Sequence, residues 1–255
     1  MGILSGTGIL DGTGILFQSG ILVPPSFSPL DLSPALWLDA SDATTLYDAT
    51  TGGSLVAADG TIARWEDKSG NGRHMGQSTG VQQPLRKTLI QNGKDVVRFD
   101  GANDFMQSLL ADNDLTTFTI FSVHLKNTSK TQGILYTGNA SSNGLGFLEF
   151  SGNRSVLFGG VAFLDDGTFP NSSFELWAAR RTGGTTSLNV NGASQALSNP
   201  TSTPSPPSGT TIIGTDNNST HLDGDIAEIL MFSTALSDTD RAAVESYLNS
   251  KWAIY

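Results

Sequence analysis

The chain has 255 residues, a formal net charge of −10 and no cysteine. That length suits one large all-β or α/β domain, with or without an appendage, and is enough to bury a core without staples; the missing cysteines exclude disulfides and thiolate metal sites. The acidic balance argues against nucleic acid as a partner, because that affinity rests on Lys and Arg at phosphates, and the longest basic feature is Arg180-Arg181.

The N-terminus reads GILSGTGILDGTGILFQSGIL, with Gly-Ile-Leu beginning at Gly2, Gly8, Gly14 and Gly20. The repeat is even in length, which is a strand period and not a helical one. Taken as extended, residues 1–22 carry Ile3, Ile9, Ile15 and Ile21 on one face and Leu4, Leu10, Leu16 and Leu22 on the other. So few hexads cannot stack into a core of their own. The segment therefore reads as a Gly-rich disordered tail or, in the sharper reading, as an arm that orders against other chains by strand addition or intertwining. The start lacks the charged flank and continuous apolar run of a signal peptide, and no stretch approaches the roughly 20 apolar residues of a membrane span. No membrane contact is expected, and assembly in a cytoplasm fits. Residues 23–33, VPPSFSPLDLS, read as a stiff proline-rich linker, and residues 34–255 as one globular domain.

That domain reads as β-rich. Short runs of β-branched and aromatic residues fall at 35–39, 62–66, 95–100, 117–125, 144–151, 154–159, 174–181, 186–192, 210–215 and 224–233, most of them separated by Gly, Asn, Asp, Ser or Pro. In TFTIFSVHL, Phe118, Ile120 and Ser122 share one face and Thr119, Phe121 and Val123 the other, which predicts a strand with both faces covered. Asn191-Gly192 between two short runs predicts a two-residue hairpin. The proline-rich 198–209 predicts a surface loop. One helix is expected near the C-terminus: Ser237 as N-cap, Asp238 and Asp240 in the first turn, an apolar stripe of Val244, Tyr247, Leu248 and Trp252, and Lys251 near the end. Many short strands with one late helix predict a two-sheet antiparallel sandwich.

The last segment, LDGDIAEILMFSTALSDTDRAAVESYLNSKW, resembles the closing strand and helix of concanavalin A-like, laminin-G-type jelly rolls. LWLDASDATTLYD, ARWEDKSGNGRHM and VVRFDGANDFM resemble the front half of the bacterial and phage branch of that group, and SLNVNGAS its central hairpin. The resemblance implies an all-β jelly-roll sandwich. It implies no single activity, since the fold hosts lectins, glycanases, adhesion modules and structural domains.

Four chemistries can be weighed. Glycosidases on this fold carry a Glu-X-Asp-X-X-Glu signature; the nearest string here is Asp223, Asp225 and Glu228 in DGDIAE, with Glu228 needing a bulge to share their face. Turn capping by the two Asp is the plainer role, and no catalytic residue is expected. In DKSGNG, Asp67, Ser69 and Asn71 alternate as in the first half of a calcium loop, but the twelfth position is Ser78, so calcium competes with plain Asx-turn bonding. No cofactor is otherwise expected. Nucleophilic catalysis has no Cys and only His74, His124 and His221 to draw on. For sugar binding, the four Trp read as core, while Phe105, Phe163 and Phe169 lie in or beside polar stretches. FLDDGTFPNSS, with Phe163, Asp165, Asp166, Phe169 and Asn171, is the expected recognition loop.

Together these readings lead to a non-enzymatic bacteriophage virion protein, of capsid-decoration or tail-fibre type. Its arm would dock on other virion proteins, it would form a homotrimer, and its lectin-like domain would meet a host-surface glycan. The competing reading is a carbohydrate-binding module or glycan hydrolase of the same fold.

Overall fold

A computed structural model describes residues 15–16, 22–23, 27–113, 116–138, 144–150, 152–158, 161–198, 208–216 and 220–255. Two antiparallel sheets face each other. The eight-stranded sheet runs Ala193–Gln195, Thr185–Val190, Glu175–Thr182, Phe118–Lys126, Asp223–Phe232, Lys94–Asp100, Leu85–Gln91, with Leu36–Asp39 also paired to Asp223–Phe232. The nine-stranded sheet runs Val161–Thr168, Asn153–Phe158, Leu145–Phe150, Gln132–Thr137, Ser208–Ile213, Met106–Asn113, Met75–Gly76, Arg64–Trp65, Leu46–Tyr47. The expected jelly-roll sandwich is what the chain forms.

Alternation along each strand makes two apolar layers. Phe118 and Ile120 point into the space between the sheets with Phe147, Val156, Trp177, Ile226 and Ile229. Phe121 and Val123 point the other way, into a second layer with Trp37, Leu230, Val244, Leu248 and Trp252. That second layer is the contact with the C-terminal helix Asp238–Trp252, capped as the sequence predicts: the Ser237 side chain accepts from the Asp240 N–H at 3.1 Å. All four Trp are buried, as expected of core residues. The Asn191-Gly192 turn has both residues at positive φ (51° and 77°), the backbone a two-residue hairpin needs.

Several strands escaped the sequence reading. Leu85–Gln91 is a mostly polar edge strand, and Val161–Thr168, the other sheet's edge, contains Asp165-Asp166-Gly167, which reads as a loop. Residues 27–33 differ from an extended linker. Ser28 caps a short 3-10 turn, Pro29–Leu32, and the Phe27 ring meets Tyr247 of the helix edge-on at 6.1 Å. Of the repeat segment, Ile15–Leu16 pairs antiparallel with Leu22–Val23. Ile3, Leu4, Ile9, Leu10 and Ile21 lie outside the described residues, as do 199–207 of the proline-rich stretch. No helix among the described residues is long and apolar enough to cross a membrane.

Candidate functional site

The connections at one end of the sandwich converge on a polar rim. The loop after strand Lys94–Asp100 is held by Asp100, whose Oδ1 accepts from the backbone N–H groups of Ala102 (2.8 Å), Asn103 (3.2 Å) and Asp104 (3.4 Å). Asp104 Oδ2 accepts the Asp100 N–H in return, at 3.0 Å. Gly101 sits at φ 76° with Asp223 so close that a Cβ would stand 2.6 Å from the Asp223 Cβ, so only glycine fits there. Lys130 Nζ closes the loop onto the Gly101 carbonyl at 2.8 Å.

Asp223, at the start of its strand, accepts from Asn127 Nδ2 (3.1 Å) and Thr128 Oγ1 (3.0 Å). His221 Nδ1 lies 3.2 Å from the Asp104 carbonyl oxygen, and its ring faces Phe105 at 6.4 Å between centroids. Phe105 and His221 are both half-buried, whereas Asp100, Asn127, Thr128, Ser129, Lys130 and Asn171 are exposed. A part-exposed ring pair beside carboxylates, amides and an ammonium can pack against sugar C–H faces and bind hydroxyls.

The two carboxyls of the loop are pushed apart. Burial, and then the charge of Asp100, raise Asp104 to about 6. At Asp100 burial acts upward, but the three backbone N–H donors outweigh it and hold the group below the usual carboxylate range. Neighbouring carboxyls with opposed shifts are the pattern of an acid and a base.

The residues of the expected recognition loop fall in different places. Phe163, Asp165 and Asp166 belong to the edge strand Val161–Thr168, where Phe163 pairs with Val156; their side chains are outside the described residues. Phe169 is 1% exposed and packs on Trp177 (5.0 Å) and His124 (5.4 Å), so it is core and no platform. Asn171 reaches the rim, where its Oδ1 accepts from Ser129 Oγ at 3.0 Å. Of the other residues singled out from the sequence, Phe105, His221 and Asp223 are also placed there.

Asp67, Ser69 and Asn71 staple a loop. Asp67 Oδ1 accepts from the N–H groups of Trp37 (2.9 Å) and Ser69 (2.8 Å), and Oδ2 from Ser69 Oγ (2.7 Å) and the Arg73 N–H (3.0 Å). Asn71 Nδ2 donates to the Pro34 and Ala35 carbonyls. Among the described residues no group of three or more His, Asp or Glu is placed to hold a metal.

The string Asp223, Asp225, Glu228 does acquire its bulge. Val123 pairs with Glu228 and His124 with Ile226, so Ala227 is the extra residue and Glu228 turns outward under the helix. Asp225 is held by Arg98 through two 2.7 Å bonds, and Glu228 is fully buried. Three carboxylates thus share a face, but Glu228 is sealed beneath Trp252, away from any substrate.

A sequence profile described as the concanavalin A-like lectin/glucanases superfamily matches residues 100–240. No curated protein matches the chain. Among solved structures, Trypanosoma rangeli sialidase with the inhibitor DANA is similar at 13% identity and a TM-score of 0.54, over 79% of this chain and 35% of that one. The chain thus spans about a third of the sialidase. Domain 4 of a GH43 extracellular arabinanase from Geobacillus stearothermophilus, solved with arabinotriose, is similar at 12% identity and 0.56, over 71% and 91% of the two chains. The receptor binding domain of a botulinum neurotoxin C/D mosaic gives 14% and 0.55, over 86% and 52%. At these identities the likeness is one of fold. The expectation of a non-enzymatic chain is corrected here: the profile groups glucanases with lectins, and the solved likenesses include glycosidases. Since the match takes in more than half of the sequence, this chain belongs to the concanavalin A-like lectin/glucanases superfamily.

Proposed function

We propose that the sandwich is a carbohydrate-recognition domain with its ligand site on the rim formed by Asp100, Asn103, Asp104, Phe105 and His221. The observation that carries this reading is the half-buried Phe105–His221 pair beside a loop whose two carboxyls are pushed apart. A glycan array probed with the full chain should give a binder, and Phe105→Ala should weaken binding by about tenfold or more, the scale of one ring contact. No binding by the unaltered chain, or equal binding by the variant, overturns the reading.

The opposed carboxyls favour a second reading, cleavage of the bound glycan. Release of reducing ends should then follow a pH profile with a limb near 6, lost in Asp104→Asn. A chain that binds without releasing reducing ends under any pH is a lectin.

We further propose that the domain is displayed on a bacteriophage particle, as capsid decoration or tail fibre, with residues 1–22 docking on other virion proteins and the chain assembled as a trimer. The supports are the Gly-Ile-Leu rows and the strand pairing of Ile15–Leu16 with Leu22–Val23. Particles assembled with a chain lacking residues 1–22 should not carry it; incorporation of the shortened chain overturns the proposal.

A further inference from the structure

Beneath the rim, the space between the sheets changes from apolar to charged. Along the inner face of strand Phe118–Lys126, Phe118 and Ile120 give way to Ser122, His124 and Lys126, all fully buried. Lys126 Nζ lies 2.6 Å from Glu149 Oε1 on strand Leu145–Phe150, with both side chains 0% exposed. The other oxygen, Oε2, accepts from Gln132 Nε2, also at 2.6 Å, and Gln132 is itself 0% exposed. One buried carboxylate therefore holds an amine on one oxygen and a carboxamide on the other.

The carboxamide is polarised. Gln132 Oε1 accepts the backbone N–H of Asp223 at 2.9 Å, where negative charge would develop if the carbonyl carbon were attacked. Gln132 Nε2 is also tied to the Thr128 carbonyl at 2.8 Å, which fixes the amide plane. The Phe169 ring, 4.9 Å from Lys126 Nζ, walls the amine off from water. Both partners of this ion pair are fully buried, where a pair gains little over its desolvation cost.

We propose that Lys126 and Gln132 become joined by an intramolecular isopeptide bond, with Glu149 carrying the protons. Glu149 takes one proton from the ammonium, and the freed Nζ lone pair attacks Gln132 Cδ. The Nζ–Cδ bond forms, and the oxyanion is held by the Asp223 N–H. Glu149 returns its proton to Nε2 and takes a second from Nζ as the Cδ–Nε2 bond breaks. Ammonia leaves, Nζ keeps one proton in the new amide, and Glu149 ends neutral. No oxidant or co-reactant is needed, and the reaction discharges the buried ion pair. The bond ties strand Phe118–Lys126 of one sheet to strand Gln132–Thr137 of the other.

The test is the mass of the intact, folded chain. It should fall short of the mass computed from the sequence by one ammonia. Trypsin should cut after Lys130 yet leave the peptide containing Lys126 attached to the one containing Gln132, with no cut at Lys126. Glu149→Gln should keep the full mass. Should that variant not fold, Lys126→Arg keeps the pairing with Glu149 without the amine, and it too should show full mass and separate peptides. An unaltered chain that keeps its full mass after prolonged incubation, with the two peptides separate, overturns the proposal.

Discussion

A single histidine shows how the polar interior ties stability to pH. His124 is fully buried; its Nδ1 meets Ser122 Oγ at 2.9 Å and its Nε2 has no partner among the described residues. Trp177 and Phe169 face the ring at 4.7 and 5.4 Å, and Lys126 lies on the same face of the strand. Burial lowers the imidazole to about 3 from its ordinary 6.5; a hydrogen bond with the Ser122 backbone acts the other way, and the charge of Arg154 adds to the lowering. The folded chain thus binds fewer protons at this group than the unfolded chain between those two values. Stability from it is fully present above 6.5 and is lost as pH falls toward 3, at up to about 1.4 kcal/mol per pH unit. Asp104, raised to about 6, works in the opposite sense over its own window, so the comparison must be between variants. Urea midpoints from pH 7 to 4 should drop less steeply in His124→Phe than in the unaltered chain; parallel slopes would show that the buried ring does not titrate with unfolding.

The C-terminal helix is an element whose hold on the sheet is half apolar, half ionic. Its stripe of Val244, Leu248 and Trp252 covers the outward face of the eight-stranded sheet. At its end, Lys251 Nζ bridges Glu228 Oε2 (2.7 Å) and Asp39 Oδ1 (2.6 Å), while Trp37 Nε1 (2.8 Å) and Trp252 Nε1 (2.7 Å) also donate to Glu228. Burial and the charge of Asp39 push Glu228 up, and only Lys251 and the indole N–H pull against them. Lys251→Met leaves the buried Glu228 carboxyl without its cation, while Lys68 still pairs with Asp39 Oδ2 at 2.8 Å. It should destabilise the fold by about 3–5 kcal/mol, read from urea unfolding; a loss under about 1 kcal/mol, the scale of an exposed pair, would mean that the network is solvated. Caps, apolar spacing and dipole-matched charges all lie within one contiguous segment, Ser237–Trp252, which is why this helix was legible there. The bulge at Ala227 was not, because it depends on pairing between strands that are far apart in the chain. Val161–Thr168 was hidden by its Asp-Asp-Gly composition, which an edge strand tolerates. Phe169 was misplaced because its sequence neighbours are polar while its own side chain turns inward. The paired charges Lys126–Glu149 and Arg154–Glu175 have no local signal at all.

For the whole molecule, the question is what the sandwich owes to its N-terminal segment. Among the described residues, both apolar layers are built from Phe27 onward, with Phe27 and Leu32 packed beside the helix layer. The fold is therefore expected to hold without residues 1–22, whose few hexads of Ile and Leu rows cannot stack into a core of their own. Such rows are stable in water only when another chain covers them. A chain beginning at Ser26 keeps Phe27 against Tyr247 and should unfold within about 0.5 kcal/mol of the full chain, the range of changes outside packed features. Its oligomeric state should change: light scattering should report a trimer for the full chain and a monomer for the shortened one. If the shortened chain remains a trimer, the contacts lie on the sandwich, and the exposed edge strand Leu85–Gln91, with Leu89 72% exposed at its tip, becomes the surface to substitute next.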